Sequence, residues 1–272
     1  MQNISVILFQ SDIYWEHPEK NLEMFTRKMD AGWPEYSGSE VSTPDVIILP
    51  EMFTTGFTQE PARLAEPMEG LSMKWMLDKA DEKECVVTGS LIVKEGKNYY
   101  NRLIWMPPGG DYRYYDKRHL FTFAGEHKRF SAGNKKLIVE YRGWKIMPLI
   151  CYDLRFPVWN RNSYDPGSGF SYDCMINVAN WPASRAHVWR VLLMARAIEN
   201  QSYVIGLNRI GRDNNDIDYS GDSAVISPKG ENLSAIMPGE ELSEVVELTR
   251  CSLDSFRDKF RVWADWDQFS LK

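Results

Sequence analysis

The chain has 272 residues, 43% of them hydrophobic and 26% charged, and its 32 Lys and Arg against 38 Asp and Glu leave a net charge of −6. That apolar content can fill a large core and excludes intrinsic disorder. The acidic balance argues against a nucleic-acid binder, which needs a basic face to displace counterions, and no apolar run approaches the roughly 18 residues of a membrane span.

The N-terminus, MQNISVILFQ, has no basic residue before its apolar stretch and reads as a first β-strand, Ile4 to Gln10, not a signal peptide. A helix follows Pro18 with Leu22, Phe25 and Met29 at helical spacing, and a strand covers Asp45 to Pro50. A second helix begins near Leu71 and includes Trp75 and Ala80. Strands then run from Cys85 to Val93, Tyr99 to Met106, Tyr112 to Asp116, Lys136 to Tyr141 and Trp144 to Ile150. The turn-rich stretch Asn162 to Asp173 reads as a surface loop before a strand at Asp173 to Val178. The third helix, about Arg185 to Asn200, sets Val188, Val191, Leu192, Ala195 and Ile198 on one face. Strands at Tyr203 to Asn208, Asp222 to Ser227, Asn232 to Met237 and Glu244 to Leu248 complete the pattern.

So many strands against so few helices are too strand-rich for one doubly wound sheet, yet the early strand–helix–strand alternation calls for buried sheet covered by helices. Two sheets packed face to face with helices outside, an α-β-β-α sandwich, satisfies both. Residues 1–250 are expected to form this domain. Residues 251–272 read as a C-terminal aromatic tail, in which Phe260, Trp263, Trp266 and Phe269 dock either on the chain's own core or across a subunit interface.

Cys85, Cys151, Cys174 and Cys251 include no C-x-x-C pair, and no histidine stands at ligand spacing to a cysteine. Neither a structural zinc site nor a disulfide framework is expected, and a reducing, cytoplasmic setting fits best. Three apolar runs each end at a reactive residue: VIILP at Glu51, YRYYD at Lys117 and WKIMPLI at Cys151. Strand ends are where loops converge in layered α/β folds. If these strands are neighbours, an acid, a cation and a thiol meet at one end of the sheet. Taken singly, Glu51 is as compatible with a turn cap, Lys117 with a solvated cation and Cys151 with an inert buried residue.

The surrounding segments decide between these readings. LPEMFTTGF around Glu51, YDKRHLF around Lys117, LICYDLRFP around Cys151, FAGEHKRFSAGN, INVANWP and the helix end ARAIENQSYV together resemble the nitrilase, or carbon–nitrogen hydrolase, superfamily. They stand in family order from about Ile4 to Pro228, and their wording is similar to the bacterial omega-amidase branch, whose members hydrolyse the terminal amide of 2-oxo-dicarboxylic acid monoamides. The resemblance implies the α-β-β-α sandwich with two mixed sheets, a Glu51–Lys117–Cys151 triad, and a homodimer or larger homo-oligomer.

An amide resists attack, so its hydrolysis needs a strong nucleophile and a stabilised oxyanion. In this reading Cys151 attacks as thiolate, Lys117 lowers its pKa and stabilises the oxyanion, and the Tyr152 N–H is the second oxyanion donor. Glu51 takes the thiol proton, passes it to ammonia and then activates water against the thioester. No metal or cofactor is required. Glu126 matches a further glutamate that would hold Lys117, and Phe57 and Trp181 match pocket-wall positions. Asp153 and Arg155 are expected to form an ion pair or hydrogen-bond clamp behind the nucleophile turn, and Arg196 and Glu199 an intrahelical pair. His119, two residues past Lys117, keeps a cysteine–histidine enzyme as an alternative.

The substrate implied is a small carboxylated amide, 2-oxoglutaramate or 2-oxosuccinamate, whose clearance belongs to settings such as methionine salvage. Its carboxylate would need a cationic clamp, with Lys128, Arg129 and Arg185 as candidates. An amidase acting on N-carbamoyl amines or deaminated glutathione, or a nitrilase, would use the same three residues. A non-catalytic scaffold is the reading from a different class.

Overall fold

The computed structural model describes residues 2–33 and 43–271. A first sheet has the order β15-β1-β2-β3-β4-β5, built from β1 (Ile4–Gln10), β2 (Val46–Ile48), β3 (Val86–Glu95), β4 (Asn98–Met106), β5 (Arg113–Asp116) and β15 (Leu242–Leu248). A second has the order β14-β11-β10-β7-β6, from β6 (Val139–Tyr141), β7 (Trp144–Ile150), β10 (Cys174–Ala179), β11 (Tyr203–Asn208) and β14 (Ala224–Ile226). In each sheet a parallel centre, β1-β2-β3 or β7-β10-β11, is flanked by antiparallel strands.

The period-2 alternation of a strand explains the layering. Along β1 and β2, Ile4, Val6, Leu8, Val46 and Ile48 pack into the core shared with Ile146, Leu149 and Ile176 of the second sheet. Their neighbours Ile7, Phe9 and Ile47 pack the other way, against Phe25 and Met29 of α1 (Pro18–Asp30) and Met73 and Met76 of α3 (Leu71–Lys83). Between them lies the short α2 (Pro61–Leu64), and α4 (Pro157–Asn160) follows the second sheet's β7. On the outer face of the second sheet lies α5 (Ala186–Asn200). A Cβ at Gly206 would come within 2.4 Å of Leu193 and 2.8 Å of Trp189, so α5 approaches β11 at a distance that only glycine permits. The result is the expected α-β-β-α sandwich.

Three expectations change. The face of α5 that packs on the sheet is Trp189, Leu193, Arg196, Ala197 and Asn200, whereas Val191 and Ile198 of the expected face look outward together with Met194. Apolar periodicity alone could not tell an inward stripe from an outward one. Asn232 to Met237 is not a strand: a single bridge joins Asn232 to Ile226. There, Asn232 Oδ1 accepts from Ser234 N and the Glu244 carboxylate accepts from Ala235 N, so side chains take bonds that a ladder would use. The loop Asn162 to Asp173 contains a small hairpin, β8 (Tyr164–Asp165) with β9 (Gly169–Phe170).

That hairpin receives the end of the chain. Helix α6 (Arg250–Lys259) is anchored by Arg257, which donates to Asp173 at 2.6 Å and to the carbonyls of Tyr172 and Gln201. Beyond it, Trp263 lies 4.0 Å from Tyr164 between ring centroids, and Trp266 meets Phe170 and the Arg161 guanidinium. Phe260 and Phe269 remain exposed.

Candidate active site

Glu51 stands three residues beyond β2, Lys117 directly follows β5, and Cys151 directly follows β7. The strands are not neighbours: β3 and β4 separate β2 from β5, and β7 belongs to the other sheet. The three side chains meet because the two sheets face each other, with their strand ends opening into one space. Glu51 and Lys117 are almost wholly removed from solvent.

Lys117 Nζ donates to Glu51 Oε1 at 2.9 Å and to both oxygens of Glu126 at 3.0 Å. Burial works against its charge, but the Glu126 and Glu51 carboxylates outweigh that and hold the ammonium well above the ordinary lysine value. Burial raises the Glu126 carboxyl above the usual carboxylate value against the pull of Lys117, and the charge of Glu51 adds to the rise. Asn101 on β4 donates from its side chain to Glu51 Oε1 at 2.8 Å, and Asn180 donates from its backbone N–H to Oε2 at 2.7 Å. Glu51 therefore has a fixed orientation, with donors on both oxygens.

Cys151 opens a 3-10 helix, Cys151–Arg155, and its φ of 45° puts a non-glycine residue in the left-handed region. The sharp turn exposes the sulfur to the pocket. Tyr152 falls in the first turn of that helix, where no preceding helical carbonyl can accept its N–H. Cys151 Sγ contacts the Asn180 carbonyl at 3.9 Å. Lys117 does pull this thiol's pKa down, as expected, but burial, followed by the charge of Glu51, outweighs it and pushes the thiol well up.

The pocket before Cys151 is walled by Phe57, Phe121, Trp181 and Tyr219. Phe57 and Trp181 were expected there, and the Phe57 ring also lies 5.3 Å from Lys117 Nζ. Tyr219 comes from a hairpin the sequence did not reveal, β12 (Ile210–Arg212) with β13 (Asp218–Ser220). Of the clamp candidates, Lys128 and Arg129 are exposed and do not line the pocket, whereas Arg185 does.

Arg155 lines it too, so of the expected ion pair or hydrogen-bond clamp only the clamp, made by Asp153, is found. Asp153 does not pair with Arg155; it accepts from Tyr115, His119 and Ile150. The Arg155 guanidinium instead lies 4.8 Å from the Trp181 ring centroid, and that of Arg185 lies 5.4 Å from Phe121. Both are half-buried, and among the described residues neither guanidinium has a hydrogen-bond acceptor or a carboxylate partner. Arg196 does pair with Glu199 at 2.9 Å, as its spacing predicts, and also donates to the Leu154 carbonyl. His119 stacks on Phe156 at 3.7 Å with its Nδ1 on Asp153, and it is not among the residues lining the pocket that Cys151 faces.

The site thus joins a thiol, two carboxylates and an ammonium, beside an aromatic pocket with two cations on its wall. Asn101 and Asn180 were missed as site residues: amides carry no titration or nucleophile signal, and Asn180 stood only inside the family-like segment INVANWP.

The chain is similar over its whole length to known proteins. The model of the carbon–nitrogen hydrolase family matches residues 36–257. The chain is 42% identical over 271 residues to omega-amidase YafV of Escherichia coli K12, with all of both chains covered. It is 34% identical over 236 residues to a 2-oxoglutaramate amidase of Bacillus subtilis, covering 85% of each. The crystal structure of a carbon–nitrogen hydrolase superfamily protein from Xanthomonas campestris, with an arsenic adduct in its active site, superposes with a TM-score of 0.94 at 38% identity over the whole of both chains.

Proposed function

The chain belongs to the carbon–nitrogen hydrolase family and is a hydrolase of non-peptide amide bonds, and from that premise we propose that it cleaves the terminal amide of 2-oxo-dicarboxylic acid monoamides, 2-oxoglutaramate or 2-oxosuccinamate. The observation that carries this substrate class is the pair of acceptor-free guanidinium groups, Arg155 and Arg185, on the wall of the pocket that holds Cys151. The fully buried Arg102, Arg196, Arg209 and Arg257 all face carboxylates, and half-buried Arg118 and Arg161 each donate to a backbone carbonyl, whereas among the described residues Arg155 and Arg185 have no acceptor at all. A substrate carboxylate supplies the missing partner with charge-assisted hydrogen bonds.

In the mechanism we propose, Glu51 removes the Cys151 proton as sulfur attacks the amide carbon, which suits a thiol that rests protonated. The carbonyl oxygen becomes an oxyanion held by Lys117 Nζ and the Tyr152 N–H. Collapse expels the amide nitrogen, Glu51 returns its proton to it, and ammonia leaves a Cys151 thioester. Glu51 then takes a proton from water as it attacks the thioester. The second oxyanion collapses, the thiol regains its proton, and the 2-oxo acid departs. Glu126 keeps Lys117 aimed throughout, and Phe57 and Trp181 shield the reacting centre from water.

The test is ammonia release from 2-oxoglutaramate, 2-oxosuccinamate, glutamine, an N-carbamoyl amine and a simple nitrile, with Cys151→Ala as control. Turnover of the two keto-amides that disappears in the control supports the proposal. Turnover confined to another member of the panel retains the mechanism and discards the substrate.

We further propose a homodimer built on the outward apolar stripe of α5, since Val191, Met194 and Ile198 are each more than two-fifths exposed on one face. A reducing, cytoplasmic setting suits a reactive Cys151 beside free Cys85, Cys174 and Cys251, and among the described residues no helix is long and apolar enough to cross a membrane. In such a setting the activity would clear keto-amides left by amino-group donation from glutamine or asparagine, as in methionine salvage.

A further inference from the structure

Asp153 is wholly buried two residues past Cys151, and its carboxylate is spent on two separate pieces of the site. Toward its own turn, Oδ2 accepts from the backbone N–H of Ile150 at 3.2 Å, bracing the strand end from which Cys151 departs. Toward the opposite sheet, Oδ2 accepts from the Tyr115 hydroxyl at 2.8 Å, and Oδ1 accepts from the His119 N–H at 2.9 Å and meets the His119 Nδ1 at 2.8 Å. Tyr115 and His119 stand two residues before and two residues after Lys117. The carboxylate therefore grips the lysine-bearing segment on both sides while holding the cysteine-bearing turn.

The surroundings allow little play. The Tyr115 hydroxyl also accepts from Trp159 Nε1 at 3.1 Å and Arg118 N at 3.2 Å, and His119 is stacked on Phe156 with the rings 7° from parallel. Lys117 and Cys151 come from different sheets and share no strand ladder, so no backbone register sets one against the other. We infer that Asp153, acting through Tyr115 and His119, is the positioning residue that registers the Lys117 ammonium against the Cys151 sulfur. A paired acid and histidine beside a cysteine invite a relay reading, but the His119 ring is stacked on Phe156 and lines no part of the pocket that Cys151 faces. Its contribution is mechanical.

The inference rests on the mechanism proposed above for the kinetic arm of its test, and on no substrate at all for the other arm. Asp153→Asn should lower kcat on 2-oxoglutaramate by about 10²-fold with little change in KM, the effect of a displacement on the order of 1 Å at the reacting groups. Independently, iodoacetamide labelling of Cys151 at pH 9, read by peptide mass spectrometry against exposed Cys251, should fall several-fold because the nearby cation no longer favours the thiolate. His119→Ala should reproduce both losses in a milder form, and His119→Asn, which restores a donor near the Nδ1 position, should recover them. These two variants carry the test if Asp153→Asn does not fold. A folded Asp153→Asn or His119→Ala with unchanged kcat, a Cys151 to Cys251 labelling ratio that stays level or rises, or a His119→Asn no better than His119→Ala would each overturn the inference. Failure of the keto-amide assay alone, with the labelling ratio lowered as expected, would count against the substrate and leave the positioning role standing.

Discussion

Asn180 holds Glu51 at two points: its backbone N–H donates to Oε2 at 2.7 Å, and its side-chain amide donates to the Glu51 backbone carbonyl at 2.7 Å. The same residue offers its own carbonyl to Cys151 Sγ. Acid and nucleophile are thus tied through one asparagine, contributed by the segment that leaves β10.

Asn180→Ala should therefore hurt both stability and catalysis. It strands the Glu51 carbonyl in a fully buried place, at a cost of about 1–3 kcal/mol. It also removes the side-chain tether on the Glu51 backbone while the residue-180 N–H still holds Oε2, and the loosened Glu51 should lower kcat by about tenfold. Thermal melting and steady-state kinetics on one preparation check this. A melting temperature and kcat both at wild-type values would mean that the residue-180 backbone N–H, Lys117 and Asn101 suffice to hold Glu51.

Arg155 and Arg185 should separate binding from chemistry. Charge-assisted hydrogen bonds are worth about 1.5–3 kcal/mol each, so Arg155→Ala or Arg185→Ala should raise KM for 2-oxoglutaramate by roughly 10- to 100-fold. Hydrolysis of an uncharged amide of similar size should be almost unaffected. If the charged and neutral amides suffer alike in both variants, the arginines shape the pocket and do not bind a carboxylate.

The raised Cys151 pKa makes a prediction about unliganded enzyme. Alkylation of this thiol should follow a titration displaced above the ordinary cysteine value of about 8.5, because burial and then Glu51 disfavour the thiolate. At neutral pH, Cys251 on the exposed face of α6 should react faster than Cys151, while Cys85 and Cys174 stay unlabelled in their buried positions. A Cys151 thiol that is already maximally reactive at pH 7 would show that Lys117 dominates its electrostatics after all.

Much of this was legible because the relevant signals are local. The runs ISVILFQ, WKIMPLI and YVIGLN announce β1, β7 and β11 to the residue, and Glu51, Lys117 and Cys151 each mark the end of an apolar run. What stayed hidden depends on direction in space. Arg155 lies two residues from Asp153 in sequence, which suggests an ion pair or a hydrogen-bond clamp, yet the 3-10 turn sends the two side chains to opposite sides: Asp153 back to clamp Tyr115 and His119, Arg155 forward to Trp181. The α5 stripe was visible as a pattern, but the sheet centres its contact on Trp189 and Leu193 at Gly206, which leaves Val188 and Leu192 at the core's edge and turns Val191 and Ile198 outward. Asn180 carried no signal of its own, because its importance lies in bonds to a residue 129 positions away.

The outward stripe on α5 gives a direct test of assembly. Met194→Glu places a charge at its centre and should convert a dimer into a monomer in light scattering at micromolar concentration, with only a modest loss in melting temperature, since within the chain the side chain lies beside the Gly230 turn and is otherwise largely exposed. An unaltered dimer would move the interface elsewhere. A wild-type monomer would remove the proposal altogether.

Buried thiols should also make the fold sensitive to alkali. Cys85 has no solvent exposure, and burial, followed by the charge of Asp45, pushes its thiol up to about 12. In the unfolded chain the same group titrates near about 8.5. The folded state thus keeps the proton where the unfolded state gives it up, so stability must fall with rising pH across that interval. The contribution of Cys85 is fully present below about pH 8.5 and is lost progressively toward pH 12. Buried Tyr172 and Cys174, also raised chiefly by burial, act in the same direction. The melting temperature should decline steadily from pH 8.5 to 11, and Cys85→Ala, less stable at pH 7 because of the small cavity it leaves, should show a shallower decline. Equal slopes in the two proteins would assign the alkaline loss to the tyrosines and to Cys174, and a flat profile in both would mean that these groups ionise without unfolding the chain.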